Sequence, residues 1–342
     1  MDIDISKFER CKILVVGDLM IDEYLWGSVD RISPEAPVQI VSVEKEEYTL
    51  GGSGNVVNNL VALGAKVLAV GVIGTGREGK LLLEKFNKIG VDTRGIIQES
   101  ERPTTRKTRI IAANQHVLRI DRETKKEISK RTFQAIAEFT EKIMPEVDIV
   151  LISDYGKGMV TKSMLSGLVA LAKKHKKITI ADPKGLDFKK YSGVSIITPN
   201  RKEAALALGV EIVNESSLYK AGAKILESVE IDKLLITCGK DGMVLFERNK
   251  EPYKISAVAR QVYDVSGAGD TALSVLGLAI ASGLSFKEGI ELANTAAGIV
   301  VGKVGTATVS KKEILDALKP AHDGVPGKYK LLTELEDVIH EL

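Results

Sequence analysis

The sequence predicts an α/β protein in which helices flank a doubly wound, mostly parallel sheet that carries a small β lid. Three observations predict this. Short runs rich in valine and isoleucine alternate with longer helical stretches. Those runs are apolar at consecutive positions instead of every second one, as in strands covered on both faces. Two further segments, about 19–45 and 104–122, break the alternation and read as extended and half polar.

The strand candidates are CKILVVG from Cys11, KVLAVGVIG from Lys66, DIVLIS from Asp148, KITIAD from Lys177, VSIITPN from Val194 and DKLLITCG from Asp232. Helical stretches such as NVVNNLVALG, GKLLLEKFNKIG, RTFQAIAEFTEKIM and KSMLSGLVALAKKH lie between them. From Asp241 the pattern changes. DGMVLFE and EPYKISAV predict an antiparallel edge meander, and three helices then begin near Gly267, Phe286 and Ser310. In TRIIAANQHVLRI, the residues Ala113 to His116 are placed to close a hairpin between two β runs. The expected organisation is one domain over 1–320 with both lid segments inserted, followed by a tail or linker stub over 321–342.

Composition bounds the function. The chain has 342 residues, of which 44% are hydrophobic and 27% charged, ordinary for a globular protein. Lys plus Arg less Asp plus Glu is 48 − 46, or +2, which predicts neither a nucleic-acid nor a membrane partner. Cys11 and Cys238 sit in apolar runs and are expected as buried free thiols in strands. With no apolar signal core at the N-terminus, the expected setting is the cytoplasm. His116, His175, His322 and His340 have no metal-ligand spacing.

The stretch DVSGAGDT, from Asp264 to Thr271, runs straight into an apolar helical pattern. Gly267, Ala268 and Gly269 are small enough for a polyanion to approach their backbone at a helix mouth, where unpaired N–H groups attract negative charge. Asp270 then sets a carboxylate against that anion hole. Such a carboxylate suits a base that takes a proton from a hydroxyl attacking phosphorus; a first-turn Asp favoured by the helix dipole is the alternative.

Gly74 to Lys80, GTGREGK, matches two nucleotide fingerprints. As G-x-G-x-x-G it calls for a ribose-binding acid about 20 residues on, where Glu99 is a poor candidate. As a P-loop it has Leu81 in place of the magnesium-ligating hydroxyl. A glycine-rich strand–helix turn is the favoured reading.

Taken together, these residues resemble the ribokinase-like (PfkB) carbohydrate kinases, from about Lys12 to about Leu318. DVSGAGDT looks like the family's C-terminal signature, and GGSGNVVNNLVALG from Gly51 is similar to its N-terminal one, with Ser53 and Val57 where smaller residues are usual. GDLMIDEYLWGSVDRISPEAPV, KTRIIAANQHVLRID, SDYGKG, DPKGLDFKKY and TPNRKEA resemble, more narrowly, the D-glycero-β-D-manno-heptose 7-phosphate kinases of lipopolysaccharide core synthesis.

The resemblance implies transfer of phosphate from ATP, with magnesium, to the C1 hydroxyl of the sugar phosphate, with Asp270 as base. Asp264 and Ser266 resemble monovalent-cation ligands of some relatives, which adds potassium as an optional cofactor. Asn200 and Glu203 suit water-mediated magnesium binding, and equally a helix-capping box. Lys184 is expected to pair with phosphate charge or to stand solvated in its loop. Thr237, Gly239 and Gly242 are expected at the floor of the ATP site, where a hairpin turn also accounts for the glycines. Asn294 is expected at the adenine edge or in a helix contact.

For the sugar, Asp22 is placed like the family's hydroxyl-binding Asp, with Gly51, Gly52 and Asn55 at a helix N-terminus. The substrate phosphate calls for cations, and Arg109, Arg119 and Lys157, the last in the SDYGKG loop with Asp154, are unranked candidates. Exposed lid edges predict a homodimer. The alternatives are a kinase of another sugar phosphate or nucleoside, an NAD(P)-binding oxidoreductase built on GTGREG, and a non-catalytic sugar-binding regulator.

Overall fold

A computed structural model describes residues 4–112, 115–258, 262–303 and 305–319. After a 3-10 turn over Ile5–Arg10 come β1 (Lys12–Gly17), β2 (Leu19–Ile32), β3 (Gln39–Gly52), α1 (Ser53–Ala62), β4 (Lys66–Gly74) and α2 (Arg77–Lys88). β5 (Asp92–Glu99), β6 (Thr105–Ala112), β7 (Gln115–Arg122), α3 (Lys130–Ile143), β8 (Ile149–Ser153), α4 (Lys162–Lys174) and β9 (Ile178–Asp182) follow. The chain continues through β10 (Ile196–Ile197), α5 (Arg201–Leu208), α6 (Glu215–Ser228), β11 (Lys233–Thr237), β12 (Met243–Glu247) and β13 (Tyr253–Ile255). α7 (Ala268–Ala281), α8 (Phe286–Val300) and α9 (Lys311–Leu318) close the described part.

The main sheet has the order β13-β12-β11-β10-β9-β8-β1-β4-β5. Its seven strands from β11 to β5 are parallel, and β12 and β13 add the antiparallel edge. Alternate residues of β1 feed two cores, which is why its sequence is apolar throughout. Ile13 and Val15 pack toward Val56, Leu60, Leu276 and Ile290 of α1, α7 and α8. Leu14 and Val16 pack toward Ile136, Leu165 and Ile225 of α3, α4 and α6. The parallel arrangement brings the C-terminal ends of β1, β8, β9, β10 and β11 to one rim, where open α/β sheets bind ligands.

The lid is a separate four-stranded sheet of order β3-β2-β6-β7. β3 runs past the expected end near 45 to Gly52, because Met20 and Leu19 pair with Gly51 and Gly52 at the buried root of the hairpin. It then passes straight into α1, tying the lid mechanically to a site helix. The expected hairpin tip at Ala113 and Asn114 lies outside the described residues, between β6 and β7, as does the tail from 320 onward.

Three local expectations change. β5 is a strand that the pattern does not announce. It is a half-buried edge interrupted by Gly95, where a Cβ would meet Val70 Cγ2 at 2.6 Å and Phe139 Cε1 at 2.7 Å. The run VSIITPN yields just the two residues of β10 before Pro199 turns the chain toward α5. Cys11 and Cys238 are buried free thiols, yet each lies just outside its strand, and burial pushes the Cys11 thiol up to about 11.

Candidate active site

α7 begins on Gly267, whose φ of 80° opens the helix in the left-handed region that glycine tolerates. A Cβ there would stand 2.7 Å from Asn55 Nδ2, so glycine also makes room for that amide. Gly269, by contrast, faces open space. The first turn of α7 thus brings the bare surface of Gly269 to a cavity of about 250 Å³, whereas the expected anion-hole N–H of Ala268 is taken by the Val265 carbonyl at 3.3 Å.

Asp270 lies in that first turn and is 4% exposed. Its Oδ2 accepts from Asn55 Nδ2 at 2.8 Å, and its Oδ1 accepts from the Tyr155 hydroxyl at 2.7 Å. Burial pushes its pKa up to about 6, against the pull of both donors, which favour the charged form. The result is a stronger base than an ordinary carboxylate, still ionised at neutral pH. The Tyr155 phenol is pushed well above its usual value by burial and by Asp270, so it stays protonated and donates.

Asn55 is therefore not the N-cap of α1; Gly52 occupies that position. Its amide is locked from behind, since Asn59 Nδ2 donates to Asn55 Oδ1 at 3.2 Å and Thr271 Oγ1 donates to Asn59 Oδ1 at 3.2 Å. Ser274 Oγ further joins α7 to the Val56 carbonyl of α1 at 3.1 Å. The two signature stretches thus form one hydrogen-bonded unit around Asp270.

Within SDYGKG, residue type alone does not mark Tyr155. The signal that fixes it is Asp18, in the GDLMID stretch, which accepts the backbone N–H groups of Tyr155, Lys157 and Met159 at 2.8, 3.1 and 3.2 Å. Asp154 in the same loop is 3% exposed. It takes Gly156 N at 2.8 Å, the Tyr191 hydroxyl at 2.5 Å and the Lys190 ammonium, so both its oxygens hold the loop together.

On the lid side, Asp22 accepts from Arg109 Nη1 at 2.5 Å and is nearly buried. Gly51 makes the room for it, because a Cβ there would collide with Asp22 Oδ2. Gly52, with φ of 55°, packs against the Asp18 carbonyl. Arg119 pairs with Asp121 at 2.9 Å and half of its side chain is exposed; Lys157 pairs with Glu123 at 2.6 Å. Lys107, not expected from sequence, places its ammonium 5.6 Å from the centroid of the Tyr155 ring.

The cavity is lined by Tyr155, Asp182, Lys184, Asn200, Glu203, Thr237 and Gly269 among others. Asn200 and Glu203 form a reciprocal capping box on α5, with Glu203 N to Asn200 Oδ1 at 2.9 Å and Asn200 N to Glu203 Oε2 at 3.0 Å. The other Glu203 oxygen meets Lys184 Nζ at 2.8 Å. Asp182 is also here, missed from sequence. Burial and the Glu203 and Asp270 carboxylates push its pKa well above the usual carboxylate range. Asp182, Asn200 and Glu203 offer hard oxygen donors, the type that suits magnesium bound through water.

The remaining expected residues divide. Thr237 bridges to Asn200 at the rim. Gly239, with φ of 57°, has free space where a Cβ would stand, whereas a Cβ on Gly242 would strike the Ile255 carbonyl, so close backbone packing explains that glycine. Asn294 donates to the Ser256 carbonyl at 2.9 Å, a buried contact between α8 and the segment after β13. Asp264 accepts Ser266 N at 2.8 Å and Gly305 N at 3.1 Å, joining two loops. Those donors hold its pKa below the usual value although burial acts in the opposite direction. Each Asp264 oxygen thus accepts one backbone N–H.

At Gly74 packing explains two of the three motif glycines, Gly74 and Gly79, but not Gly76. A Cβ on Gly74 would strike the Arg102 carbonyl, and one on Gly79 the Gly74 carbonyl. Glu99 is occupied by Ser129 N at 2.9 Å, Thr132 Oγ1 at 2.6 Å and Arg102 Nε at 3.0 Å. Those bonds hold its pKa at about 2 despite burial. GTGREG is a strand–helix turn, and the oxidoreductase reading loses its two supports.

Known proteins resemble this chain along most of its length. The sequence profile described as "pfkB family carbohydrate kinase" matches residues 10–313. A protein of Desulfatibacillum aliphaticivorans named "Bifunctional protein HldE" is 55% identical over 339 residues, covering 99% of this chain and 69% of the relative. One of the same name from Geobacter sulfurreducens is 46% identical over 326 residues, covering 95% and 66%. The chain thus spans about two thirds of the length of such relatives. Among solved structures, Arabidopsis thaliana ribokinase complexed with ribose and ATP superposes with a TM-score of 0.72 at 22% identity, covering 90% of this chain and 98% of that one. Phosphofructokinase-2 from Escherichia coli in complex with potassium gives 0.75 at 17% identity, covering 90% and 97%. At these identities the structural likeness speaks for the fold.

Proposed function

Because this chain belongs to the pfkB family of carbohydrate kinases, we propose that it phosphorylates the C1 hydroxyl of D-glycero-β-D-manno-heptose 7-phosphate with ATP, giving the 1,7-bisphosphate for lipopolysaccharide core synthesis. The observation that carries this reading is Asp270, held by Asn55 and Tyr155 at the glycine-lined head of α7.

The sugar lies between the lid and α1, with its hydroxyls on Asp22 and the amide of Asn55. ATP enters the cavity over Lys184, Asn200, Thr237 and Gly239. Asp270 takes the proton of the C1 hydroxyl on a carboxylate oxygen as that hydroxyl oxygen forms its bond to the γ-phosphorus. The bond from the γ-phosphorus to the β,γ-bridging oxygen breaks, and ADP leaves. Backbone N–H groups of Gly267 and Gly269 meet the charge spread over the transferring group. Magnesium, when bound, neutralises nucleotide phosphate charge, with Asp182, Asn200 and Glu203 to orient its water shell. No step is assigned to a monovalent cation.

A homodimer is part of this reading. Leu118 and Ile120, two residues apart on β7, share an exposed face of the lid, and Ile32 and Val43 are exposed on β2 and β3. A second lid would cover them. Sedimentation tests this, and a monomer at micromolar concentration rejects it.

The functional test is ADP release with the heptose 7-phosphate against ribose and fructose 6-phosphate. The account expects the heptose 7-phosphate to have the highest kcat/KM. A higher value for either of the others contradicts it.

A further inference from the structure

Lys107 and Arg109 are two residues apart on β6 and so share one face of the lid. In register they stand beside Asp22 and Tyr24 of β2 and opposite Asp121 and Arg119 of β7. This face looks toward the site, since Lys107 lies over the Tyr155 ring and Tyr155 donates to Asp270.

Three of the four cations gathered here already have anions: Arg109 has Asp22, Arg119 has Asp121 and Lys157 has Glu123. Lys107 has none. Among the described residues its ammonium makes neither an ion pair nor a hydrogen bond, and the ring face of Tyr155 is its contact. An ammonium withdrawn from water without an anion is costly unless a ligand supplies one. Burial draws its pKa down; the Asp22 and Asp121 carboxylates oppose that and the Lys157 and Arg119 cations reinforce it, so charges of both signs face it.

In the proposed reading the transferring phosphoryl has its own receptors at the α7 head. The cavity that holds them includes Tyr155 but not Lys107, which stands on the lid side of that ring. Resting on the reading that the acceptor is a phosphorylated sugar, we propose that Lys107 receives the phosphate the sugar already carries. Lys107 thereby sets the preference for phosphorylated over free sugar, with Lys157 and Arg119 flanking it. A lysine suits this task as a compact point charge that needs no bidentate geometry.

The test compares kcat/KM of wild type and Lys107→Gln for the heptose 7-phosphate and for the same heptose without phosphate. Calorimetry supplies the Kd of the sugar phosphate. Lys107→Gln is expected to lose about tenfold to a hundredfold on the phosphorylated sugar, through KM and Kd, and far less on the free one. Lys107→Arg is expected to recover part of the loss. If Lys107→Gln keeps the wild-type preference, this inference fails while the kinase reading stands. An equal fall in kcat on both sugars also overturns it, because Lys107 would then serve the transferring group. A wild type with no preference for the phosphorylated sugar overturns both readings.

Discussion

The Tyr155 hydroxyl donates to Asp270 Oδ1 across 2.7 Å, opposite the Asn55 amide on Oδ2. Each bond favours the charged carboxylate, so together they limit how far burial can raise its pKa. Tyr155→Phe removes one of them. The acid limb of kcat/KM, expected near pH 6 in the wild type, should move up by about half a unit to one unit. A rate that falls equally at every pH, with the limb in place, contradicts this role.

Asp270 also predicts a pH dependence of stability. Its folded pKa of about 6 lies above the ordinary 3.8, so the folded state holds this proton more tightly than the unfolded chain. The resulting stabilisation is complete below the lower value and is lost as pH rises through the upper one. Asp270→Asn keeps the shape and removes the buried charge. Its stability relative to wild type should rise between pH 4 and pH 8, by about 2–3 kcal/mol if the full shift is expressed. Urea unfolding at both pH values measures it, and an unchanged difference contradicts it.

Gly267→Ala should damage both folding and catalysis. It forces a side chain into a left-handed backbone and against Asn55 Nδ2, costing about 1–3 kcal/mol. Gly269→Ala has open space instead, so it should fold as wild type and weaken ATP binding at the cavity mouth. Thermal unfolding and the KM for ATP separate the two variants. Equal destabilisation by both would contradict the geometry.

Asp22→Asn leaves the Arg109 guanidinium half-buried and unpaired, a cost of about 2–3 kcal/mol. In the kinetics, the sugar KM should rise at least about tenfold with a smaller change in kcat, as for a lost hydroxyl contact. A fall confined to kcat contradicts its assignment to sugar binding.

Much of this architecture is legible in the chain. Strands apolar on both faces announce the parallel sheet, and DVSGAGDT announces the helix head. β5 escapes because an edge strand needs little apolar surface and Gly95 interrupts it. Within the site, residue type and position at a helix head point to Asp270, and the resemblance to the kinase family adds Asn55 and Asp22. They cannot say which polar atoms the folded chain consumes. Asp154 reads as a ligand and is taken by Lys190 and Tyr191; Asn294 reads the same way and is bonded to Ser256. Tyr155, Asp182 and Lys107 become visible when segments distant in sequence meet, as when Asp270 accepts from Tyr155, 115 residues before it.

The most direct measurement is ADP production by Asp270→Asn at saturating ATP and heptose 7-phosphate. With the base removed and the fold kept, kcat should fall by about 10²–10⁴ while ATP still binds. Undiminished turnover by that variant would contradict the account.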